Sequence, residues 1–188
     1  MTMMIQRLLL PLLLTLTTMA SAAPNTPDPR CERIGRDAQR FTLWSERQPL
    51  TEKSFDDALG RPRRLAGFQG RPVLLHFWGT WCPPCLEEMP ALDRLAGELS
   101  KEALEIIAVN RDAGGTDSTL AFYMKHGIRN LSAYSDRLGL FAHGMHVGKV
   151  PVTIYIDSRG REFGRLSGLV DWDSGEARQH IRHCLLGQ

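Results

Sequence analysis

The sequence predicts a three-layer α/β domain, a mixed central sheet flanked by helices on both faces, and three observations carry that expectation. Residues 73–78, 104–109 and 152–156 are short, nearly unbroken apolar runs, the pattern of strands buried on both faces. Between and after them lie segments with apolar residues at helical spacing. Strand–helix–strand order implies a right-handed crossover and parallel pairing, while the turn Ser158-Arg159-Gly160 after the third run adds antiparallel strands.

Taken in order, residues 1–22 read as a targeting segment outside the fold. Arg7 precedes an apolar run over 8–16 that is broken by Pro11, and Ala20-Ser21-Ala22 ends it with small residues. Cleavage is expected after Ala22, because a cut after Ala23 puts Pro24 immediately downstream. The run is shorter than the roughly 20 apolar residues of a membrane span. A membrane association therefore follows only if the segment is retained as an anchor. Residues 23–54 are expected to form a leader and an N-terminal extension with a β-hairpin; 23–30 are proline-rich and polar, and 41–44 is a strand candidate.

The folded domain is expected over 55–188. Residues 58–62 and 70–72 are turns, and the strand 73–78 is interrupted only by His76. After Cys82 a helix places Leu86, Met89, Leu92, Leu95, Ala96 and Leu99 on one face. A helix over 116–126 takes Thr116 or Asp117 as its cap and Gly127 as its stop. The hairpin turn leads into 161–166, and a last helix over 174–186 buries Ala177, Ile181, Cys184 and Leu185. There is no internal repeat and no second domain.

A chain of 188 residues suits one sizeable core. Its net charge of +2 falls to +1 once Arg7 leaves with the leader, and without a long basic run nucleic acid is a poor partner. Export implies a periplasmic or extracellular compartment, the periplasm being the expected one, which lets cysteines pair. Four remain after cleavage, at 31, 82, 85 and 184.

Cys82 and Cys85 carry the chemistry. A spacing of three puts both sulfurs on one side of a first helical turn, within bonding reach. Pro83 and Pro84 fall at the first helical positions, where a missing N–H costs nothing. Free N–H groups and the helix dipole favour a thiolate at Cys82, and the thiolate is the nucleophile. Reduced Cys82 attacks a substrate disulfide, and the more buried Cys85 resolves the mixed disulfide; a dithiol substrate runs the cycle backward. Half a zinc site is the competing reading of two such cysteines, but Cys31 and Cys184 stand alone and no His pair matches them.

With those residues in place, the segment from Phe77-Trp78-Gly79-Thr80-Trp81 through Cys82-Pro83-Pro84-Cys85 to Leu86-Glu87-Glu88-Met89-Pro90 resembles the active-site stretch of the TlpA/ResA-like branch of the thioredoxin superfamily. Gly148-Lys149-Val150-Pro151-Val152-Thr153 is similar to the family's cis-proline loop, and Arg159-Gly160 with Gly168 to its closing hairpin. The likeness covers about residues 55–186 and implies the thioredoxin fold. It also implies a cis bond between Val150 and Pro151, with Trp81, Val150 and Pro151 meeting the substrate as it pairs along the exposed Val150 backbone. Glu88 is implied to exchange the proton of Cys85 if burial raises its pKa, while Glu87 reads as a solvated charge. His76 departs from the buried Asp of thioredoxins six residues before the first cysteine. It reads as a hydrogen-bonded core residue or as a group titrating near neutrality.

The resemblance favours the reducing direction, in cytochrome c maturation or general periplasmic disulfide reduction, with protein disulfides as substrates and a membrane thiol relay as electron donor. A disulfide-forming oxidant is the reverse alternative. No cofactor and no metal is required, because the dithiol carries both electrons. A copper-handling or oxidase-assembly protein is the second reading, using His143, Met145 and His146 with the cysteine pair as a soft site; these also read as plain loop residues. A redox-inert interaction module conflicts with the intact cysteine pair. A peroxidase lacks its Pro-x₃-Thr-x₂-Cys pattern here. The even cysteine count and export favour a structural bridge Cys31–Cys184 over two unpaired cysteines.

Overall fold

The computed structural model describes residues 29–31, 33–34 and 39–188; the expected targeting segment 1–22, its cleavage point and residues 23–28 lie outside them. In chain order the strands are β1 (Arg33–Ile34), β2 (Gln39–Arg40), β3 (Thr42–Gln48), β4 (Phe55–Asp56), β5 (Pro62–Arg63), β6 (Val73–Trp78), β7 (Glu105–Asn110), β8 (Tyr134–Ser135), β9 (Val152–Ile156) and β10 (Glu162–Ser167). The helices are α1 (Pro83–Glu98), α2 (Gly115–His126), α3 (Leu140–Gly144) and α4 (Gly175–Cys184), with short 3₁₀ turns at Pro29–Cys31, Leu65–Phe68 and Leu99–Lys101.

Eight strands form one mixed sheet in the order β3-β10-β9-β6-β7-β8-β4-β5. β6, β7 and β8 run parallel, as the crossovers require, and the remaining pairs are antiparallel. β6 lies in the middle with all six residues buried. Because side chains alternate across a strand, Leu74 and Trp78 enter one core with α1, α2 and α4. Val73, Leu75 and Phe77 enter the other, beneath α3 and the Leu65–Phe68 turn. His76 shares the first face, so it looks toward α1.

β1 and β2 form the N-terminal hairpin. The strand beyond it is longer than the apolar signal at 41–44: β3 pairs with β10 and closes one edge of the main sheet. Segment 23–54, expected as leader and extension, thus supplies a strand to the same sheet as 55–188. Trp44 fastens it by donating its indole N–H to Glu162 Oε1 at 2.7 Å.

α1 buries Met89, Leu92 and Leu95, with Leu86 and Ala96 half-covered and Leu99 in the following turn. Deleting a side chain such as Leu92 from this layer would cost about 2–5 kcal/mol. Asp93, on the same helix, accepts the backbone N–H groups of Arg129, Asn130 and Leu131 at 3.0, 2.7 and 3.1 Å, pinning the loop after α2. α2 corrects one expectation. Its cap is Gly114, without a side-chain bond, rather than Thr116 or Asp117. The Thr116 hydroxyl is engaged elsewhere, donating to the Asp57 carbonyl at 3.3 Å and meeting the Ser135 hydroxyl at 2.9 Å. Gly127 ends the helix at φ 68°, as expected.

α4 starts on Ser174, whose hydroxyl accepts the Ala177 N–H at 3.1 Å, and buries Ala177 and Ile181. Cys184 is half-buried rather than buried, because it ends the helix in a disulfide to Cys31 with Cα atoms 5.8 Å apart. His180 backs that bridge. Its Nε2 lies 3.2 Å from the Cys31 carbonyl and its Nδ1 3.1 Å from the Tyr155 hydroxyl.

Candidate active site

The loop from β6 to α1 is held from both sides. A side-chain carbon at Gly79 would stand 2.8 Å from the Trp81 ring, so a larger residue here requires that ring to shift. The Thr80 N–H and hydroxyl donate to the two oxygens of Asp112 at 3.0 and 2.5 Å, and the Asp112 N–H donates to Asn110 Oδ1 at 2.5 Å. The ends of β6 and β7 are thereby joined through side chains. Trp81 is left 61% exposed beside the cysteines.

Cys82 is the N-cap of α1. It is extended at φ −105° and ψ 100°, and Pro83 and Pro84 take the first two helical positions. Its sulfur accepts the Cys85 N–H at 3.3 Å, doing what a serine or aspartate oxygen does at other caps. The pair is a disulfide with Cα atoms 5.2 Å apart, and Cys82 is the more accessible partner at 4% against 0% for Cys85. Across from it, Cys82 Sγ lies 3.7 Å from the Val150 carbonyl, and the Val150–Pro151 peptide is cis. Val150 is half-buried and Pro151 buried.

Glu88 follows Cys85 by one helical turn on the buried face and is 2% exposed. Its Oε2 accepts the Val170 N–H at 3.0 Å and the Trp172 indole N–H at 3.1 Å. Its Oε1 faces His76 Nε2 at 3.4 Å, and neither atom has a hydrogen-bond partner of its own. On the other side of the ring, His76 Nδ1 lies 2.9 Å from the Thr153 hydroxyl. Burial pushes the Glu88 carboxyl up to about 8, against the pull of its two hydrogen bonds and with the Glu87 charge adding to the rise. Burial also drives His76 down to about 3. Both groups are therefore uncharged at neutral pH. In the oxidised chain His76 is a hydrogen-bonded core residue, and its complete enclosure keeps the resting ring neutral rather than titrating near neutrality.

The residues read as a soft copper site differ in burial. Met145 is buried in the core behind β6, whereas His143 and His146 are exposed at the end of α3 and just beyond it. Among the described residues no group of three or more His, Cys, Asp or Glu is placed to hold a metal.

A model of the AhpC/TSA family matches residues 34–161, well over half of the chain. The chain belongs to the AhpC/TSA family. Within it the protein is ResA-like, a thiol–disulfide oxidoreductase of the thioredoxin superfamily. It is 32% identical over 135 residues to the thiol-disulfide oxidoreductase ResA of Bacillus thuringiensis, covering 72% of this chain and 70% of that one. The ResA of Geobacillus thermodenitrificans is 31% identical over 125 residues, covering 66% and 70%. Among solved structures, the exposed lipoprotein thioredoxin Etrx1 of Streptococcus pneumoniae superposes with a TM-score of 0.57 at 25% identity, over 69% of this chain and 97% of that one. A secreted thiol-disulfide isomerase of Corynebacterium glutamicum shares the fold with a TM-score of 0.62 at 22% identity, over 81% and 93%.

Three parts of this ResA-like site escaped sequence reasoning, Asp112, Val170 and Trp172, and Thr153 was read only as part of the cis-proline loop, not as the partner of His76. Asp112 and Trp172 stand in loops where no periodicity marks them. The one available signal was His76 itself, a polar residue inside an otherwise apolar strand that needs a polar partner from a facing element.

Proposed function

We propose that this ResA-like protein is an exported, periplasmic reductase of protein disulfides. The observation that carries the reading is the position of Cys82, a helix cap whose sulfur takes a backbone N–H and stands beside the Val150 carbonyl. The Cys85 N–H and the helix N-terminus stabilise a thiolate there, while the Val150 carbonyl accepts from the protonated thiol. The Cys82 thiolate attacks one sulfur of the substrate disulfide, and the other sulfur departs. Cys85 then loses its proton and attacks Cys82, which releases the second substrate sulfur and closes the Cys82–Cys85 bond. Two electrons pass from the dithiol to the substrate. Val150 and cis-Pro151 offer backbone for an extended substrate segment, and exposed Trp81 covers it. Glu88 exchanges the proton of Cys85, and Cys31–Cys184 is structural.

An oxidising compartment drains such an enzyme of electrons, so a membrane thiol relay is the donor this reading requires. Cytochrome c maturation is one setting with that demand. Among the described residues no helix is long and apolar enough to cross a membrane.

Two measurements test the reading. In a protein-disulfide reduction assay, Cys82→Ser should abolish turnover, and Cys85→Ser should accumulate a mixed disulfide on Cys82 visible by mass. Turnover surviving in Cys82→Ser would remove the nucleophile from the scheme. For direction, the full chain is equilibrated in thiol buffers and the state of Cys82–Cys85 is read by alkylation and peptide mass, scoring Cys31–Cys184 separately. A reduction potential near the thioredoxin value of about −270 mV fits a reductase, whereas one near about −120 mV makes the protein an oxidant.

A further inference from the structure

His76 is a buried ionisable group for which the exchange scheme has no task. It sits in β6 between Ala108 of β7 and Thr153 of β9, with Trp172 edge-on at 6.4 Å between ring centroids. Its ring is the middle of a chain that runs from the Thr153 hydroxyl through Nδ1 and Nε2 to Glu88 Oε1, at 2.9 and 3.4 Å. Hydrogen-bond roles along the chain are constrained. Glu88 Oε2 takes two N–H bonds and is the acceptor oxygen, which leaves Oε1 to carry the proton of the neutral acid. If Nδ1–H is given to Thr153, Nε2 is a bare lone pair, the complement of an O–H on Oε1. Titratable groups on the elements packed against the pair are Cys82, Cys85 and the exposed Glu87 on α1 or its cap, Tyr155 on the same face of β9 as Thr153, and the exposed Asp171 between Val170 and Trp172; on β7 the neighbour of His76 is Ala108.

We propose that His76 is the positioning residue that makes Glu88 a proton acceptor for Cys85, by taking the proton of Glu88 on Nε2. This rests on the reading of Cys82 and Cys85 given above. A buried glutamic acid that already holds its proton can accept another only if the first has somewhere to go, and Nε2 is that place. At the resolving step the resting proton shifts from Oε1 to Nε2, the Cys85 S–H bond breaks and its proton passes to the carboxylate. The Cys85 thiolate pair then forms the bond to Cys82, and the Cys82–substrate bond breaks with its electron pair on the leaving sulfur. That thiolate takes up the extra proton, and the pair returns to one. Between those events a buried imidazolium offsets the charge of a buried thiolate. The absence of charge at rest, which burial of both groups enforces, keeps the second seat empty until a thiol proton arrives.

The test separates the two thiol steps. The full chain, reduced at Cys82–Cys85 with the outer bridge intact, is mixed with excess chromogenic aryl disulfide in stopped flow. Attack by Cys82 releases a first coloured thiol and resolution by Cys85 a second. His76→Asn should lower the ratio of second to first rate constants about tenfold or more at neutral pH, Glu88→Gln similarly, and the double variant no further than the lower single, because the two residues act as a unit. An unchanged ratio in His76→Asn, or additive losses, would overturn the proposal. Imidazole nitrogen NMR of the wild-type chain guards against a folding defect. In the oxidised chain each His76 ring should carry one proton; in the reduced chain at neutral pH every Cys85 thiolate that has passed its proton inward should be matched by a His76 ring carrying two. A ring singly protonated in both states at neutral pH, with Cys85 a thiolate, rejects the proposal. Loss of the first phase in wild type would instead reject the oxidoreductase scheme itself.

Discussion

Cys82–Cys85 joins residues three apart at a helix N-terminus, and Cys31–Cys184 joins residues 153 apart at the far end of the last helix. Each has a buried histidine nearby, and the histidines differ in what they face. His180 has both ring nitrogens occupied by groups that do not change, a backbone carbonyl and a tyrosine hydroxyl. Burial holds it below the ordinary histidine range, against the pull of the Cys31 carbonyl, and its job ends at holding the N-terminal segment. His76 has one nitrogen on a hydroxyl and the other on a carboxyl that itself titrates. Two buried histidines, His76 the deeper at 0% exposure against 6% for His180, thus serve as a proton-handling pair in one place and a fixed support in the other. The chemistry of the partner separates their roles.

The comparison breaks most easily at the outer bridge. Cys31→Ser with Cys184→Ser should lower unfolding stability by about 2–5 kcal/mol, measured by denaturant titration, because the closed loop spans most of the chain. The reduction potential of Cys82–Cys85 should stay put; a shift there would mean that the two ends are not independent. A smaller effect is expected of His180→Phe, which strands the Cys31 carbonyl and the Tyr155 hydroxyl at a cost of about 1–3 kcal/mol. Its two-phase kinetics should match wild type, in contrast to His76→Asn.

The subtlest expectation is a pH profile of stability for the oxidised chain. Glu88 is raised from 4.5 to about 8, so its contribution is fully present below about 4.5 and is lost as pH climbs toward 8. His76 is lowered from 6.5 to about 3, so its contribution is present above 6.5 and is lost as pH drops toward 3. Between 4.5 and 6.5 the two slopes oppose one another. The melting temperature should be nearly level there and fall on either side. Glu88→Gln should remove the alkaline fall and leave the acid one. A profile identical to wild type would show that Glu88 is already ionised in the folded chain.

Much of this was legible in the residues because the signals are local. β6 and β9 are apolar runs with few alternatives, and Cys82, Pro83 and Pro84 announce a helix start by their own chemistry. The cis bond at Val150–Pro151 was legible only through resemblance. What could not be read joins distant positions. Val170 and Trp172 reach Glu88 from 82 and 84 residues away, and no pattern near either announces the contact. β3 outran its signal for a different reason: an edge strand with a half-exposed face needs no apolar alternation, and its register shifts at a bulge opposite Glu162 and Gly164. The cap of α2 was misread because the Thr116 hydroxyl serves a neighbouring loop rather than its own helix.

The bridge between Cys31 and Cys184 also changes what a cut does. A protease that severs any one peptide bond between those residues leaves two pieces still held by a covalent tie, and the nicked molecule keeps its mass on a gel until a reductant is added. Linear by synthesis, the chain becomes a ring closed between residues 31 and 184. In a compartment where thiols stay oxidised, such a ring survives a single break that would halve an open chain.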